Sequence, residues 1–507
     1  MIRRNITANI IGRAWGAISV YAFVPLYLRF LGPEAYGLVG LYSTLLGVMA
    51  FADMGLTATL NREMARLSAY GDSTSDKCDL LRTYEAAYAC ISLLVVVLIW
   101  FLAPPIARHW LQSSTLDPQV IASAIRWMGV SIALQLPANL YIGGLMGLEK
   151  QVISNSLRVA WSILQGVGAV LVLRLLSPTI GAFACWQLIP SILFCLAARV
   201  TLWRAVSANA VRPRFKWRVF QSTWRYALGM AGLAIVSTLL TQADRLVVSK
   251  MLPLEVLGYY MVAVALASVP PILASPIGAA VFPRFTGLVA SGNQSDLVGL
   301  YRRTTSLVAV AVIPGGLTLA AFAGDFILAW TGNVPAAQQA GVAAAFLLGG
   351  QVLQALSVLP FYLALAHGNI RLNLQIGIAS AVLIAPLLVF LVTRYGIAGA
   401  GVSWLVMNVC TLPPYMYFLH RRFLRGEFRQ WCLRGVGWPL LAALPCVLLG
   451  RRLVPHTDSR LLTMGWIGLV WGVAVAAAAM SVPELRNALM KRLSKMCARF
   501  LAITSTS

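Results

Sequence analysis

The chain has 507 residues, of which 59% are hydrophobic and only 11% are charged, and its mean hydropathy is +0.78. A water-soluble domain cannot bury so much apolar surface, so this composition predicts a membrane protein with spans of about 20 apolar residues. The formal net charge of +24 could suit nucleic-acid binding. Cytoplasmic loops of membrane proteins also collect Lys and Arg, however, and we favour that explanation.

Fourteen stretches of the chain are apolar enough to be candidate spans. In chain order they are Asn9–Leu28, Tyr36–Leu56, Glu85–Leu102, Val120–Leu140, Val159–Leu175, Ile180–Val200, Tyr226–Val248, Val256–Val281, Ser306–Trp330, Ala340–Leu365, Leu374–Val392, Ile397–Phe418, Val436–Leu449 and Leu461–Met480. The thirteenth is the shortest, because Arg434 and Arg451 limit it at both ends. The pattern predicts an all-α polytopic membrane protein.

An internal repeat divides these spans into two sets of six and a final pair. The segment Leu31–Gly37 returns 221 positions later as Leu252–Gly258, with Leu, Glu and Gly retained, and Arg82-Thr83 returns as Arg303-Thr304 at the same shift. We therefore predict a six-span half over 1–202, a linker over 203–225, a second half over 226–420, an extra pair over 421–482 and a tail over 483–507. Duplicated membrane chains of this kind usually bind a substrate where the halves meet.

The distribution of positive charge predicts the orientation. With the N-terminus inside, most Lys and Arg residues outside the spans fall in cytoplasmic segments, which is the bias that membrane proteins show. An even number of spans then places the C-terminus inside as well. Met1–Arg4 runs into the first span without a small-residue cleavage site, so we expect this span to be retained.

Two basic segments are expected at the cytoplasmic surface. The linker Trp203–Arg225 interleaves Trp with Arg, which could bind RNA but beside a span is more typical of a helix in the headgroup layer. In the tail, one apolar stripe is flanked by basic residues and predicts an amphipathic surface helix; the stripe consists of Leu485, Leu489, Leu493, Met496 and Phe500.

Charged residues within the spans are the candidate site residues, because a charge in hydrocarbon is costly unless it faces a wet cavity or a partner. They are Arg13, Asp53, Arg126, Asp244 and Arg245. A guanidinium in a cavity would suit an anionic ligand such as a phosphate. Alternatives remain open for each: snorkelling to headgroups for Arg13 and Arg126, a helix cap for Asp53, and a local pair or an interface anchor for Asp244 and Arg245.

Proline residues within spans predict hinges. Pro25, Pro137 and Pro360 interrupt apolar stretches, and the pattern Leu-Pro-x-x-Leu around Pro137 recurs around Pro360. Kinked helices can shift between two packings, which fits alternating access.

The sequence has no phosphate-cradling loop for ATP and no metal-ligand spacing, so we expect no cofactor or metal, and any coupling would be to H⁺ or Na⁺.

Several of these motifs resemble a known family. They are Arg29–Gly37, Asp53-x-Gly55-Leu56 with Arg62, Asp244-Arg245-Leu246-x-Val248, Leu257–Tyr260 and Ala263. Together they resemble the polysaccharide-unit (O-antigen or exopolysaccharide repeat) flippases of the multidrug/oligosaccharidyl-lipid/polysaccharide superfamily, over roughly residues 5–425. Many members have twelve spans, and the extra pair is also found in lipid II flippases of the same superfamily.

The resemblance implies a MATE-like fold and a function. It implies that a polyprenyl-diphosphate-linked oligosaccharide moves from the inner to the outer leaflet of the bacterial inner membrane, with membrane lipids, a polysaccharide polymerase and glycosyltransferases as further partners and with no nucleic acid bound. Two rivals stay open: a lipid II-type flippase or ion-coupled drug antiporter of the same fold, and a membrane-embedded glycan polymerase or ligase. The short outward loops count against an enzyme.

Overall fold

The structure is a computed structural model in which residues 2–69, 74–206, 213–217, 240–455, 459–483 and 485–487 are described, with the isolated positions 232, 235 and 238. Within these residues all regular elements are helices, and the extended contacts amount to one isolated bridge between Gln112 and Pro253. The all-α membrane fold predicted from composition is confirmed.

The first compact unit comprises residues 1–261. Its helices are α1 (Ile2–Met49), a 3₁₀ turn (Ala50–Asp53), α2 (Leu56–Ala69), α3 (Thr74–Pro105) with a π turn (Ile106–Trp110), α4 (Pro118–Gly147), α5 (Gln151–Leu175), α6 (Ile180–Trp186), α7 (Leu188–Val206) and the start of α8 (Leu254–Ala267). Helix α4 is the centre of this unit: α2, α3 and α7 pack against it, while α5 packs on α1.

The second unit comprises residues 262–507. It contains α9 (Val269–Ala290), α10 (Gln294–Ala321), α11 (Ala323–Thr331), α12 (Val334–Leu356), α13 (Val358–Ala366), α14 (Ile370–Phe423), α15 (Glu427–Gln430), a π turn (Trp431–Gly437), α16 (Trp438–Arg452) and α17 (Arg460–Ser481). Its main core lies between α9, α10, α13 and α14. A second apolar cluster, which includes Val310, Ala443, Val447 and Val470, packs the final pair α16 and α17 against α10.

Eleven helices in the described ranges are long and apolar enough to cross a membrane. Two of them each contain two predicted spans, joined at Gly32 and at Gly396. Of the seventh predicted span, Tyr226–Val248, residues 240–248 and the three isolated positions are described, and all of them are helical. The predicted number of spans is therefore consistent with the structure.

Helix α14 shows why the merged helices count as two spans. A straight helix of its 54 residues would extend about 81 Å, far beyond the hydrocarbon core of about 30 Å. Gly396 has φ +57°, a left-handed conformation that glycine adopts without strain. A Cβ atom on Gly399 would overlap the carbonyl oxygen of Leu391, which lies eight residues earlier, so the chain reverses between them.

Three boundaries differ from the prediction. Most of the predicted loop Asn61–Tyr84 is helical, because α2 runs to Ala69 and α3 begins at Thr74. The ninth span starts earlier, at Gln294, where the Asn293 side chain accepts a hydrogen bond from the Asp296 amide. The thirteenth span is longer than predicted, because the helix from Glu427 to Arg452 carries its arginines at the ends. Polar helix ends extend past the apolar stretch that hydropathy detects. The predicted tail helix lies almost entirely outside the described residues.

Candidate functional site

Asp244 and Arg245 lie in the first unit, on the helical segment that precedes α8. The Asp244 carboxylate is 3% exposed and accepts a hydrogen bond of 2.6 Å from the hydroxyl of Tyr260. Arg245 donates from Nη1 to Oε1 of Gln242 at 3.0 Å, and its Nε is buried without a hydrogen-bond partner among the described residues. A buried guanidinium N–H that the protein leaves unsatisfied is available to an anionic acceptor.

The repeated segments pack against each other beside these charges. A Cβ on Gly37 would overlap the carbonyl oxygen of Leu254, and a Cβ on Gly258 would overlap that of Pro33. Gly37 and Gly258 are equivalent in the repeat, and so are Pro33 and Leu254. The two contacts are therefore the same contact made twice, which is the signature of a local two-fold axis. Gly is needed at both positions because the backbones approach too closely for a side chain.

Arg126 lies on α4 and contacts α3. Its guanidinium carbon is 5.0 Å from the centre of the Trp100 ring, and its Nε donates to the Trp100 carbonyl oxygen at 3.3 Å. Trp100 and its neighbour Phe101 are exposed on the apolar outer surface of the unit. A cation–π contact at such a place is the geometry of an interfacial anchor. The position is therefore compatible with snorkelling, the alternative left open by the sequence.

Asp53 closes the 3₁₀ turn that follows α1. Its carboxylate accepts hydrogen bonds from the hydroxyl groups of Thr57 and Tyr88 and from the Thr57 amide, the last at 3.4 Å. Bonds from a carboxylate to a residue four positions later are those of a helix cap. Gly55, with φ +70°, provides the turn between Asp53 and α2. The Arg13 side chain lies outside the described residues.

The predicted residues are thus not gathered in one place. The structure brings Asp244 and Arg245 together next to the repeated segments, while Arg126 and Asp53 are held by different partners on α3. Pro25 and Pro137 lie inside the continuous helices α1 and α4. Pro360 lies at the start of α13, directly after a break at Ser357, so the second repeat interrupts its helix where α4 continues through Pro137.

Sequence reasoning missed a buried carboxylate in the first unit. Glu85 on α3 accepts hydrogen bonds at Oε1 from Arg199 Nε at 3.0 Å, Trp203 Nε1 at 2.8 Å and Tyr141 OH at 2.9 Å, and at Oε2 from Arg82 at 3.3 Å. These donors join α3 to α4 and α7. Because Tyr141, Arg199 and Trp203 lie more than 50 residues from Glu85 in sequence, periodicity gives no sign that they meet it. The only signal was an acidic residue at one span end and an arginine at another.

A neutral polar network was missed for the same reason. Within the first unit, the Gln135 amide donates to Tyr42 OH at 2.9 Å, and Ser131 shares hydrogen bonds with Tyr42 at 3.0 Å and Ser191 at 2.8 Å. All four residues are buried at membrane depth, where polar groups must satisfy one another. The network ties α1, α4 and α7 together.

The second unit has a different buried polar pair. His420 on α14 lies 2.7 Å from the Met416 carbonyl oxygen through Nδ1 and 3.2 Å from the Tyr301 hydroxyl through Nε2. Since a carbonyl only accepts, Nδ1 carries the proton, and Nε2 of a neutral ring accepts from Tyr301. His420 lies just beyond the end of the twelfth predicted span in sequence, and the structure buries it.

Solved structures of membrane transporters share this fold. A lipid II flippase, MurJ in an inward closed conformation, superposes with a TM-score of 0.72 at 15% identity, covering 94% of this chain and 98% of that one. A multidrug resistance MATE family transporter of the MOP superfamily, in its inward-facing conformation, gives a TM-score of 0.65 at 13% identity, covering 81% and 95%. The fold is MATE-like, and the class it defines is an all-α multi-pass membrane protein.

The sequence comparisons identify the family within that class. The chain matches the family described as "Polysaccharide biosynthesis protein" over residues 2–289, more than half its length, and belongs to it. A protein of Shigella flexneri with the description "Putative O-antigen transporter" is 23% identical over 404 residues, covering 80% of this chain and 94% of that one. The family resemblance seen in the sequence motifs is confirmed.

Proposed function

We propose that this chain is a flippase that moves a polyprenyl-diphosphate-linked oligosaccharide, an O-antigen or exopolysaccharide repeat unit, from the inner to the outer leaflet of a bacterial inner membrane. The observation that carries the proposal is the combination of a MATE-like fold with membership of a polysaccharide biosynthesis family. The O-antigen transporter relative, aligned over most of both chains, supports the glycan as cargo.

The charged residues in the spans are proposed to contact the diphosphate. Arg245 is the best supported, because its buried Nε has no protein acceptor among the described residues. Asp244, held by Tyr260, would keep the neighbouring arginine on its segment in place. Arg13 and Arg126 are proposed as further anionic contacts and Asp53 as a positioning residue. Bidentate contacts to phosphate oxygens are the chemistry that arginine performs best.

Movement is proposed to follow alternating access, with bending at Pro25, Pro137 and Pro360 and with H⁺ or Na⁺ as possible coupling ions.

Both chain ends are proposed to be cytoplasmic, and polymerase and glycosyltransferase enzymes of the same glycan are proposed partners. Reporter fusions at Ser207 and Ser505 should then read cytoplasmic, and one at Ser113 should read outward. An outward signal at Ser207 contradicts this topology.

A flipping assay tests the function itself. Purified protein in vesicles would be given a fluorescent polyprenyl-diphosphate oligosaccharide, and a membrane-impermeant quencher would report how much reaches the other leaflet. We expect Arg245→Ala to reduce the rate at least tenfold with Arg245→Lys partly active, because Lys lacks the planar fork. A matched control is Arg394→Ala, which removes an exposed arginine at the turn of α14. Absence of flipping by the wild-type protein would contradict the proposal.

A second candidate is a flippase of the lipid II type. The superposition with the MurJ structure covers 94% of this chain, a larger share than the MATE transporter covers. Offering lipid II and an O-antigen repeat in the same assay separates the two: transport of lipid II alone would establish the second candidate.

A further inference from the structure

A groove of about 970 Å³ lies between the two arms of α14, which are residues 370–395 and 397–423. It opens where the first arm begins and the second ends. Leu372, Gln375, Ile376 and Ala379 form one wall, and Phe418, Arg421, Arg422 and Arg425 form the other. The groove lies within the second unit and is distinct from the residues proposed to contact the cargo.

Three arginines give this groove a strong positive charge. Arg421, Arg422 and Arg425 are all exposed, and within the described part of the chain no carboxylate forms an ion pair with any of them. Two other arginines of the unit do form ion pairs: Arg302 pairs with Glu427 at 2.6 Å, and Arg451 pairs with Asp325. The groove therefore concentrates positive charge with no acidic side chain in its lining.

The wall opposite the arginines is apolar except for Gln375, and hydrogen bonds fix its position. The Tyr415 hydroxyl donates to Asn373 Oδ1 at 2.7 Å, and the Asn373 amide donates to the Phe361 carbonyl oxygen at 3.3 Å. These bonds hold the two arms together beside the groove. Met416, Leu419 and His420 are buried on the other face of the second arm, so the arginine face cannot turn inward.

We propose that this groove binds the phosphate headgroup of an anionic phospholipid, with the acyl chains along Leu372, Ile376 and Phe418. Basic pockets between membrane helices are suited to lipid phosphates, and three arginines can hold one phosphate through several charge-assisted bonds. With the orientation proposed above, the groove faces the cytoplasmic leaflet. A phospholipid there would bridge the arms of α14 next to the hinge at Pro360.

Native mass spectrometry of the full-length protein in neutral detergent tests the proposal, with dioleoyl phosphatidylglycerol as the probe. The triple variant Arg421→Gln, Arg422→Gln, Arg425→Gln should bind this lipid about 100-fold more weakly, because each cation near a lipid headgroup contributes roughly fivefold. The corresponding triple Lys variant should lose less than about tenfold, since charge is retained. Dioleoyl phosphatidylcholine should bind weakly to every variant.

The control variant is Arg204→Gln, Arg303→Gln, Arg429→Gln, which removes three exposed charges outside the groove. It should bind phosphatidylglycerol like the wild type, and thermal unfolding should be unchanged in both triple variants. Equal losses in the groove and control variants would show general charge attraction and overturn the proposal. Displacement of the lipid by inorganic phosphate at the same concentration would overturn it too, by showing a site for free phosphate. The readout is lipid binding, so it does not depend on which glycan is carried.

Discussion

Helices α3 and α10 occupy the same place in the two repeats, yet their polar contacts differ. Arg82-Thr83 on α3 corresponds to Arg303-Thr304 on α10, so Glu85 corresponds to Ser306. Glu85 is a buried carboxylate with four donors from α3, α4 and α7. Ser306 instead lines a cavity of about 400 Å³ beside the final helix pair. There α10 is joined to α14 by the neutral pair of Tyr301 and His420.

The difference shows what a duplication preserves. The helix and its register have survived in both copies, but the group that fixes it to its neighbours has changed from charged to neutral. Hydrogen bonds to an ionised acceptor are roughly twice as strong as neutral ones, and a buried charge left without its partners is costly. We therefore expect the removal of a polar group from the first unit to lower the free energy of unfolding more than removal of the equivalent group from the second unit.

The largest contrast is expected between Glu85→Ala and Ser306→Ala. Removing the carboxylate leaves four donors without this acceptor, of which Tyr141 is buried and Trp203 is partly buried. We expect a loss of roughly 3 kcal/mol, limited because Arg82 and Arg199 are about half exposed and can be hydrated. Ser306→Ala should cost less than about 1 kcal/mol. Reversible unfolding in mixed detergent micelles measures both. Equal losses would mean that the buried carboxylate of Glu85 contributes no more to stability than the hydroxyl of Ser306.

For the repeated glycines Gly37 and Gly258 we expect equal losses of stability, unlike for Glu85 and Ser306. The reason is that these two copies make equivalent contacts. Gly37→Ala and Gly258→Ala each place a methyl group against a backbone carbonyl, and each should cost about 1–3 kcal/mol. Gly181→Ala is the control: it is helical with no atom within 4 Å of the new methyl group, so it should be neutral or stabilising. Similar losses for Gly37 and Gly258 would support the two-fold contact; a loss at one alone would count against it.

Two tyrosine-to-phenylalanine changes compare the charged and the neutral network by removing a single hydroxyl group from each. Tyr141→Phe removes a hydrogen bond to the Glu85 carboxylate and should cost about 2 kcal/mol, whereas Tyr301→Phe removes one to neutral His420 and should cost about 1 kcal/mol. Both changes keep the ring, so packing is matched. The same unfolding measurement applies, and a larger cost for Tyr301→Phe would reverse the ranking of the two networks.

The smallest effect is expected at the described piece of the linker. The amides of Arg214 and Lys216 donate to Asp79 and Thr83 on α3, and the Lys216 ammonium lies 2.7 Å from Asp79. The hydrogen bond to Asp79 raises the pKa of Lys216 above its ordinary value, so the ammonium stays charged throughout the physiological range. Asp79→Asn should leave global stability within about 0.5 kcal/mol of wild type.

Trypsin cleavage at Lys216 reports this contact directly. We expect cleavage to be several-fold faster in Asp79→Asn than in the wild type. Asp76→Asn is the control, because Asp76 is 3.7 Å from the ammonium and largely exposed, and it should cleave at nearly the wild-type rate. Cleavage unchanged by Asp79→Asn would show that the linker is held by something else.

Hydropathy and the internal repeat determined the membrane class and the approximate spans, and short sequence motifs indicated the family of this protein. These properties are local or periodic, so a single sequence carries them. Even the breaks at Gly32 and near Pro253 fall at equivalent places of the repeat. Span ends were less well predicted, as at Gln294, because polar helix ends continue beyond the apolar stretch.

Only the tertiary structure decided which charges meet. Glu85 meets Arg199, Tyr141 and Trp203 because α3, α4 and α7 pack together, and the three donors are scattered along the chain. It also placed Arg126 on Trp100, buried His420 and left three arginines of α14 without a carboxylate in the described chain. A side chain's partner depends on helix rotation and packing distance. Composition and spacing constrain neither, because both arise from contacts between residues far apart in sequence.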